Sequence, residues 1–395
     1  FIVYKGMRCL RCGNEDPKFF AYDQGVWYCR RCVRFNRLDV GAVVSPPVLS
    51  RRTIHEKPEL AFGLTSAQKA ASAQALRYLQ AKKDVFLYAA TGAGKTELCY
   101  ESICAYLSQG KKVGFAIARR QVVLEIAARL RQVFPRLRIV EVCQGHTTQL
   151  DGDLIVCTIH QLYRYPQTFD LLILDELDAF PYAGSDLLRA FVDQACAGEK
   201  LCLSATMDPG LEEDIRQKRV EIVTLFERPH GKPLVVPDVW RVPLWLQWIL
   251  TIGYCGRFTR EGKQTLVFVP RKKDARIMAM VLRGYGARYI HAACNDKDEV
   301  MEAFRQRKFS VLVTTTLLER GITIPGVQVV VFHGDHPVFN AASLIQIFGR
   351  VGRKFDDPYG KGVCLCARTN EAIRSCVSTI EWMNRCARSA LSPNE

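Results

Sequence analysis

The stretch Asp84-Val85-Phe86-Leu87-Tyr88-Ala89-Ala90-Thr91-Gly92-Ala93-Gly94-Lys95-Thr96-Glu97 reads as an apolar strand, a loop of small residues and the start of a helix. A phosphate-binding loop needs small residues that let backbone N–H groups curl around phosphate oxygens. It also needs a Lys that reaches the β- and γ-phosphates and a hydroxyl for Mg2+. Thr91, Gly92, Ala93, Gly94, Lys95 and Thr96 supply these parts. A helix beginning near Lys95 would turn its positive end toward the same anion. The first position of the G-x-x-x-x-G-K-[ST] pattern is Ala89, so the tight turn falls to Gly92 and Gly94. A glycine-rich turn with a surface Lys is the plainer alternative, and the wider context decides against it.

Downstream, Asp170-Leu171-Leu172-Ile173-Leu174-Asp175-Glu176-Leu177-Asp178 is a buried-strand pattern that ends in carboxylates. An acid at such a strand tip holds Mg2+ through water, and a neighbouring Glu orients the water that attacks the γ-phosphate. These roles are expected of Asp175 and Glu176. Gln68 stands about 27 residues before Lys95, beside the start of a helical pattern, and is expected to read an adenine edge by bidentate hydrogen bonding. Leu201-Cys202-Leu203-Ser204-Ala205-Thr206 is another short apolar strand ending in hydroxyls. Ser204 and Thr206 are expected to bond the carboxylates and couple hydrolysis to movement.

The 395 residues are too many for one comfortable core, so two or three domains are expected. A net charge of +15 and a pI near 9.2 favour a polyanionic partner, either nucleic acid or an acidic membrane surface. No apolar run is long enough to span a membrane, and no signal-peptide pattern opens the chain, so a cytoplasmic location is expected. The chain begins at Phe1, from which a preceding stretch of natural sequence is expected. Twelve of the sixteen cysteines are scattered singly through apolar segments, as reduced core residues are.

The other four are Cys9, Cys12, Cys29 and Cys32, two C-x-x-C pairs separated by sixteen residues. That is the spacing of two knuckles closing one tetrahedral Zn2+ site. A segment this short has little core, so metal binding would supply much of its folding free energy. Arg30, Arg31, Arg34 and Arg37, with Phe35 among them, form either a phosphate-contacting strip or a solvated basic face. Residues 1–40 are thus a zinc-binding module, and residues 41–60, with Pro46, Pro47 and Pro58, read as a linker.

From residue 61 to 226 strands and helices alternate, which implies a parallel sheet with ligands at the carboxyl ends of its strands. Arg119 and Thr158 lie just past such ends and suit a nucleic-acid backbone. Residues 227–243, holding Pro229, Pro233, Pro237 and Pro243, read as a hinge. The α/β rhythm restarts over 244–395 without a second phosphate loop, which suggests a lobe that closes on a nucleotide held by the first. Its candidates are Arg350 and Arg353 of Gln346-Ile347-Phe348-Gly349-Arg350-Val351-Gly352-Arg353, expected on a helix from about Asn340. Arginines reaching the γ-phosphate stabilise transition-state charge, and Gln346 is expected to couple the two events. Thr314 and Thr315, with Glu319, Arg320 and Gly321 behind them, would set hydroxyls near nucleic-acid phosphates.

The ordered set Gln68, A-x-T-G-x-G-K-T at 89–96, D-E-L-D at 175–178, S-A-T at 204–206, T-T-x-x-x-E-R-G at 314–321 and Q-x-x-G-R-x-G-R at 346–353 resembles superfamily 2 helicases. Thr323 stands where many RNA-directed relatives carry Asp. With the four-cysteine module and the run Asp175-Glu176-Leu177-Asp178-Ala179-Phe180-Pro181, the whole chain resembles the ComFA family of late-competence ATPases. The resemblance implies an α/β fold of two tandem RecA-like parallel-sheet lobes preceded by the zinc module. It further implies ATP, Mg2+ and Zn2+, and single-stranded-DNA-stimulated ATP hydrolysis that drives import of transforming DNA. Implied partners are single-stranded DNA, a ComFC-type protein and a membrane DNA-uptake channel met from the cytoplasmic side, with homo-oligomerisation left open. Two alternatives stand beside it: a PriA-like replication-restart helicase, whose cysteines lie within the helicase core, and a nucleotide-gated DNA clamp without translocation.

Overall fold

The computed structural model describes residues 7–42, 45–176, 182, 184–207, 209–316, 326–353 and 358–391. Leu177, Asp178, Ala179, Phe180, Pro181, Glu319, Arg320, Gly321 and Thr323 of the motifs above lie outside the described residues. The chain divides into two compact units, one of Phe1–Tyr88 with Lys95–Thr224 and one of Ala89–Gly94 with Leu225–Glu395.

The first unit opens with an antiparallel hairpin of β1 (Phe20–Asp23) and β2 (Val26–Cys29). Gln24 and Gly25 between them have φ of +52° and +84°, the two left-handed residues that a type I′ turn requires. There follow α1 (Ser66–Gln80), β3 (Asp84–Ala89), α2 (Lys95–Leu98), α3 (Tyr100–Leu107), β4 (Val113–Ile117), α4 (Arg120–Val133), β5 (Ile139–Val142) and β6 (Leu154–Thr158). Then come β7 (Phe169–Asp175), α5 (Asp186–Ala195), β8 (Cys196–Ser204), α6 (Pro209–Arg216) and β9 (Val220–Leu225). The strands form one seven-stranded sheet in the order β5-β6-β4-β7-β8-β3-β9. Every residue of β4 and β6 is buried, the signature of strands covered on both faces by helices.

The register aligns the chemically interesting strand ends. Ile117 faces both Thr158 and Asp175, Asp175 faces Leu203, and Ser204 faces Tyr88. Thr158, Asp175, Ser204 and the exit of β3 therefore share the carboxyl edge of the sheet. The strand expected to run to Thr206 ends at Ser204, because the chain turns there with the Thr206 N–H donating to Ser204 Oγ at 3.1 Å.

Residues 50–59 are no free tether. They run along the opposite edge of the sheet, tied by Ser50 to Asp151, Arg51 to Asp170 at 2.6 Å and Arg52 to Asp153. The N–H groups of Ile54 and Glu59 donate to the carbonyls of Leu107 and Val133.

The second unit contains β10 (Asp238–Arg241), α7 (Leu244–Arg260), β11 (Gln264–Phe268), α8 (Lys272–Val281), β12 (Arg288–Ile290) and α9 (Lys297–Arg305). It continues with β13 (Val311–Thr314), β14 (Val327–Val331), α10 (Ala341–Phe348), β15 (Gly362–Cys366) and α11 (Glu371–Leu391). The six strands order as β10-β15-β14-β11-β13-β12, and every neighbouring pair is parallel. The proline-rich stretch expected as a hinge thus contributes an edge strand, β10. The helix expected to carry Gln346 through Arg353 begins after the Asn340 cap but ends at Phe348. Gly349 closes it and Gly352 adopts φ +64°, so Arg350 and Arg353 sit on a turn beyond the helix.

Candidate functional site

Gly92 and Gly94 adopt φ of +82° and +89°, a region open to glycine and costly for other residues, which lets the loop after β3 curl back on itself. Lys95 and Thr96 are the first residues of α2, and Thr96 is buried. Cys99 separates α2 from α3 while keeping helical angles. Burial raises the Cys99 thiol well above its ordinary pKa, and the charges of Asp175 and then Glu97 add to this. The Asp175 carboxylate is therefore felt at the helix that follows the phosphate loop.

Asp175 itself is buried at the tip of β7, and its Oδ1 accepts the Glu176 N–H at 2.9 Å. Glu176 has φ +59°, an uncommon and strained conformation for a residue with a Cβ. The kink holds consecutive carboxylates at the strand end. Strand β8 lies between β7 and β3, so two ladder spacings, about 10 Å, separate the strand carrying Asp175 from the strand feeding the phosphate loop. Ser204 and Thr206, both buried, lie at the end of that intervening strand, their hydroxyls 3.5 Å apart.

Gln68 has a task that the sequence reading missed. Its Oε1 accepts the Thr65 N–H at 3.0 Å while Thr65 Oγ1 accepts the Gln68 N–H at 3.2 Å, a reciprocal capping box at the start of α1. The signal was the T-x-x-Q spacing of residues 65–68. Arg119 precedes the first turn of α4 and is half-buried, and Thr158 is buried at the end of β6.

In the second unit Thr314 is fully buried and donates its hydroxyl to the Thr315 carbonyl at 3.1 Å. Gln346 is buried on α10, Arg350 is buried beyond it, and Arg353 donates from Nε to the Gly349 carbonyl at 2.8 Å. Sequence reasoning overlooked Arg228, which is only 1% exposed. Its guanidinium donates to the carbonyls of Thr91, Gly349, Val351 and Gly352 at 2.8–3.0 Å. Burial, and then the Arg353 charge, pushes its pKa down to about 9, which leaves it cationic at neutral pH. Gly349 is required by close approach: a Cβ there would fall 2.0 Å from Thr91 Oγ1.

The four thiols of Cys9, Cys12, Cys29 and Cys32 are buried, and all lie within 4.8 Å of one another. Cys9 and Cys32, and likewise Cys12 and Cys29, approach to 3.7 Å. A tetrahedron of sulfurs around Zn2+ has an edge of about 3.8 Å, so the donor set and its spacing fit that ion. Mutual hydrogen bonds among the sulfurs lower the Cys9 thiol, chiefly through Cys12 and then Cys32, and raise the Cys12 thiol, chiefly through Cys32 and then Cys9. Arg11 braces the cluster, donating to the Cys32 carbonyl at 2.8 Å and to its sulfur at 3.2 Å.

Two family models match, "Type III restriction enzyme, res subunit" over residues 61–208 and "Helicase conserved C-terminal domain" over residues 247–355. With the phosphate loop and the carboxylates at the tip of β7, these define a superfamily 2 helicase ATPase. The architecture is shared with Saccharomyces cerevisiae Dbp5 bound to RNA and ADP BeF3, at a TM-score of 0.61 and 17% identity over 81% of this chain and 92% of that one. Within that class the chain belongs to the ComFA family. It is 30% identical over 404 aligned residues to competence protein ComFA of Streptococcus pneumoniae, covering 95% of this chain and 90% of that protein. Against ComFA of Bacillus subtilis the identity is 30% over 377 residues, 88% of this chain and 79% of the relative. No helix among the described residues is long and apolar enough to cross a membrane.

Proposed function

We propose that this chain hydrolyses ATP in response to single-stranded DNA and uses the cycle to draw transforming DNA into the cytoplasm during natural competence. The observation that carries the reading is the 30% identity with competence protein ComFA sustained across 95% of the chain. The domain limits proposed are 1–40, 41–60, 61–226, 227–243 and 244–395. The protein would work at the inner face of the membrane with a ComFC-type partner and a DNA channel.

In this reading the backbone of Thr91 to Gly94 cradles the phosphates, Lys95 pairs with the β- and γ-oxygens, and Glu176 orients the attacking water. Thr96 and Asp175 would hold Mg2+, which when bound neutralises charge on the β- and γ-phosphates. Arg350 and Arg353 stabilise the charge that builds on the transferred phosphoryl group. With Oε1 committed to the cap, Gln68 would address the adenine edge through Nε2. Arg119, Thr158, Thr314 and Thr315 would hold strand phosphates, and Ser204, Thr206 and Gln346 would relay hydrolysis to that grip.

The test is steady-state ATP turnover without nucleic acid and with single-stranded DNA, duplex DNA or RNA, all at one salt concentration because phosphate-driven affinity depends steeply on it. Stimulation by single-stranded DNA above the other polymers is expected. Lys95→Ala should lower kcat about 10²–10³-fold, the scale of removing one charge-stabilising donor. Glu176→Gln should hydrolyse poorly yet still bind DNA. Preference for RNA or duplex, or undiminished turnover in Lys95→Ala, would overturn the reading.

A further inference from the structure

The aromatic residue of the basic strip after the second cysteine pair does not face solvent. Phe35 is half-buried, with its ring 5.1 Å from Phe191 of α5 in an edge-on contact and 5.4 Å from Tyr163, which follows β6. Arg11 fixes the same joint from inside the module. It donates to the Phe35 carbonyl at 2.7 Å and lies 5.7 Å over the Tyr163 ring. The cysteine module is thus seated on the segment that continues Thr158 past the carboxyl edge of the sheet.

This seating places two rings in contact with a guanidinium at either end. The Arg34 guanidinium lies 5.0 Å from the Phe35 ring, Phe35 lies 5.4 Å from Tyr163, and Tyr163 lies 5.2 Å from the Arg164 guanidinium. Arg34 is exposed and Arg164 partly so. Among the described residues neither makes an ion pair, although Arg164 Nε donates to Gln161 Oε1 at 2.6 Å. The Arg34 charge is felt at His160, which burial first and then that charge hold below its usual pKa. Two other arginines of the strip are engaged elsewhere. Arg37 is closed in ion pairs with Asp23 at 2.6 Å and Asp39 at 2.8 Å, and Arg31 approaches Asp186 at 4.0 Å.

We propose that Arg34 and Arg164 contact phosphates of one nucleic-acid strand, so that the cysteine module extends the strand path of the first unit beyond Thr158. The proposal rests on the reading of the chain as a single-strand translocase. Two cations held by rings at a fixed spacing suit a polyanion that must be gripped without sequence preference. Contact with the rings also restrains the guanidiniums, which lowers the entropy lost on binding. An acidic protein partner is the competing occupant and would leave DNA binding untouched.

The experiment is fluorescence-anisotropy titration of the full zinc-loaded chain with a labelled oligothymidylate across a salt series. Each phosphate contact on a single strand contributes about 0.7 to the slope of log K against log salt, so R34Q/R164Q should flatten the slope by roughly 1.4 and weaken binding several-fold. R34K/R164K, which keeps both charges, should restore the slope. R37Q, whose partners are internal, should leave it unchanged. If the double Gln variant loses zinc, the single exposed substitution R34E carries the test and should weaken binding with zinc retained. A slope in R34Q/R164Q equal to that of the parent, or an equal loss in R37Q, overturns the proposal. Failure of the parent itself to bind the strand would overturn the translocase reading instead.

Discussion

Residues 7–40 and the seven-stranded sheet beside them are held together by different forces. In the module the buried apolar positions are the four cysteines and Phe20, while Arg11 and Asn14 are buried polar ones. In the sheet every side chain of β4 and β6 is buried, and β7 places aliphatic residues from Leu171 to Leu174 out of water. A core built of ligands has almost no hydrophobic stabilisation without its ion, whereas a core of Val, Ile and Leu needs no ligand at all. With Zn2+ held by the four cysteines, folding of residues 7–40 would depend on metal supply, while that of the sheet would not.

The largest expected effect separates the two. Cys9→Ser should release zinc and unfold the β1–β2 hairpin, because structural zinc contributes about 10–16 kcal/mol to modules of this kind. The sheet should keep its stability. Elemental analysis with hydrogen exchange would show amides of Phe20 to Cys29 losing protection while those of Val113 to Ile117 keep theirs. A hairpin that stays protected after zinc is gone would mean that Phe20 and Arg11 suffice to fold the module.

Arg228 tests whether two forces are enough, since it is neither a ligand nor an apolar core residue. Removing a buried charge from four carbonyl partners leaves each acceptor dry, and Arg228→Ala should destabilise the second unit by about 3–5 kcal/mol. Arg228→Lys should rescue little, because an ammonium cannot span the carbonyls that a planar five-donor fork reaches. Denaturant unfolding checks both. Its pH dependence has a definite sign. A base whose folded value is pushed down to about 9 binds fewer protons folded than unfolded, so this contribution rises as pH climbs past about 9 and is flat near neutrality.

Legibility in the sequence follows the same physics. The phosphate loop, the tip of β7 and the cysteine pairs were readable because their chemistry fixes residue type and spacing at once. Strand β10 was not, because only Val239 of its four residues is half-buried and its pairing with β15 is backbone bonding that no side chain records. A parallel edge strand of that kind carries no hydrophobic run. The strap at residues 50–59 was read as a linker because its side-chain bonds join residues more than 100 positions apart. Arg228 was invisible for a deeper reason. Its partners are carbonyl oxygens, which every residue has, so no motif records them. The turn that frees Arg350 and Arg353 from α10 had a signal in Gly349 and Gly352, where the structure shows close approach and helix termination together.

The smallest expected effect lies at the joint between the two regions. Phe35 contributes an edge contact to Phe191 and a tilted one to Tyr163 from a half-buried position, worth about 1–2 kcal/mol together. Phe35→Ala should therefore leave zinc bound and the hairpin protected while loosening the module from the sheet. Limited proteolysis would report it as faster cleavage between residues 41 and 49, ahead of the anchored strap, with zinc content unchanged. If cleavage stays slow, the Arg11 guanidinium over the Tyr163 ring would be enough to hold the joint without the Phe35 ring. If zinc is lost as well, docking and metal binding would be one cooperative event, and the metal would stabilise the module partly through the surface on which it sits.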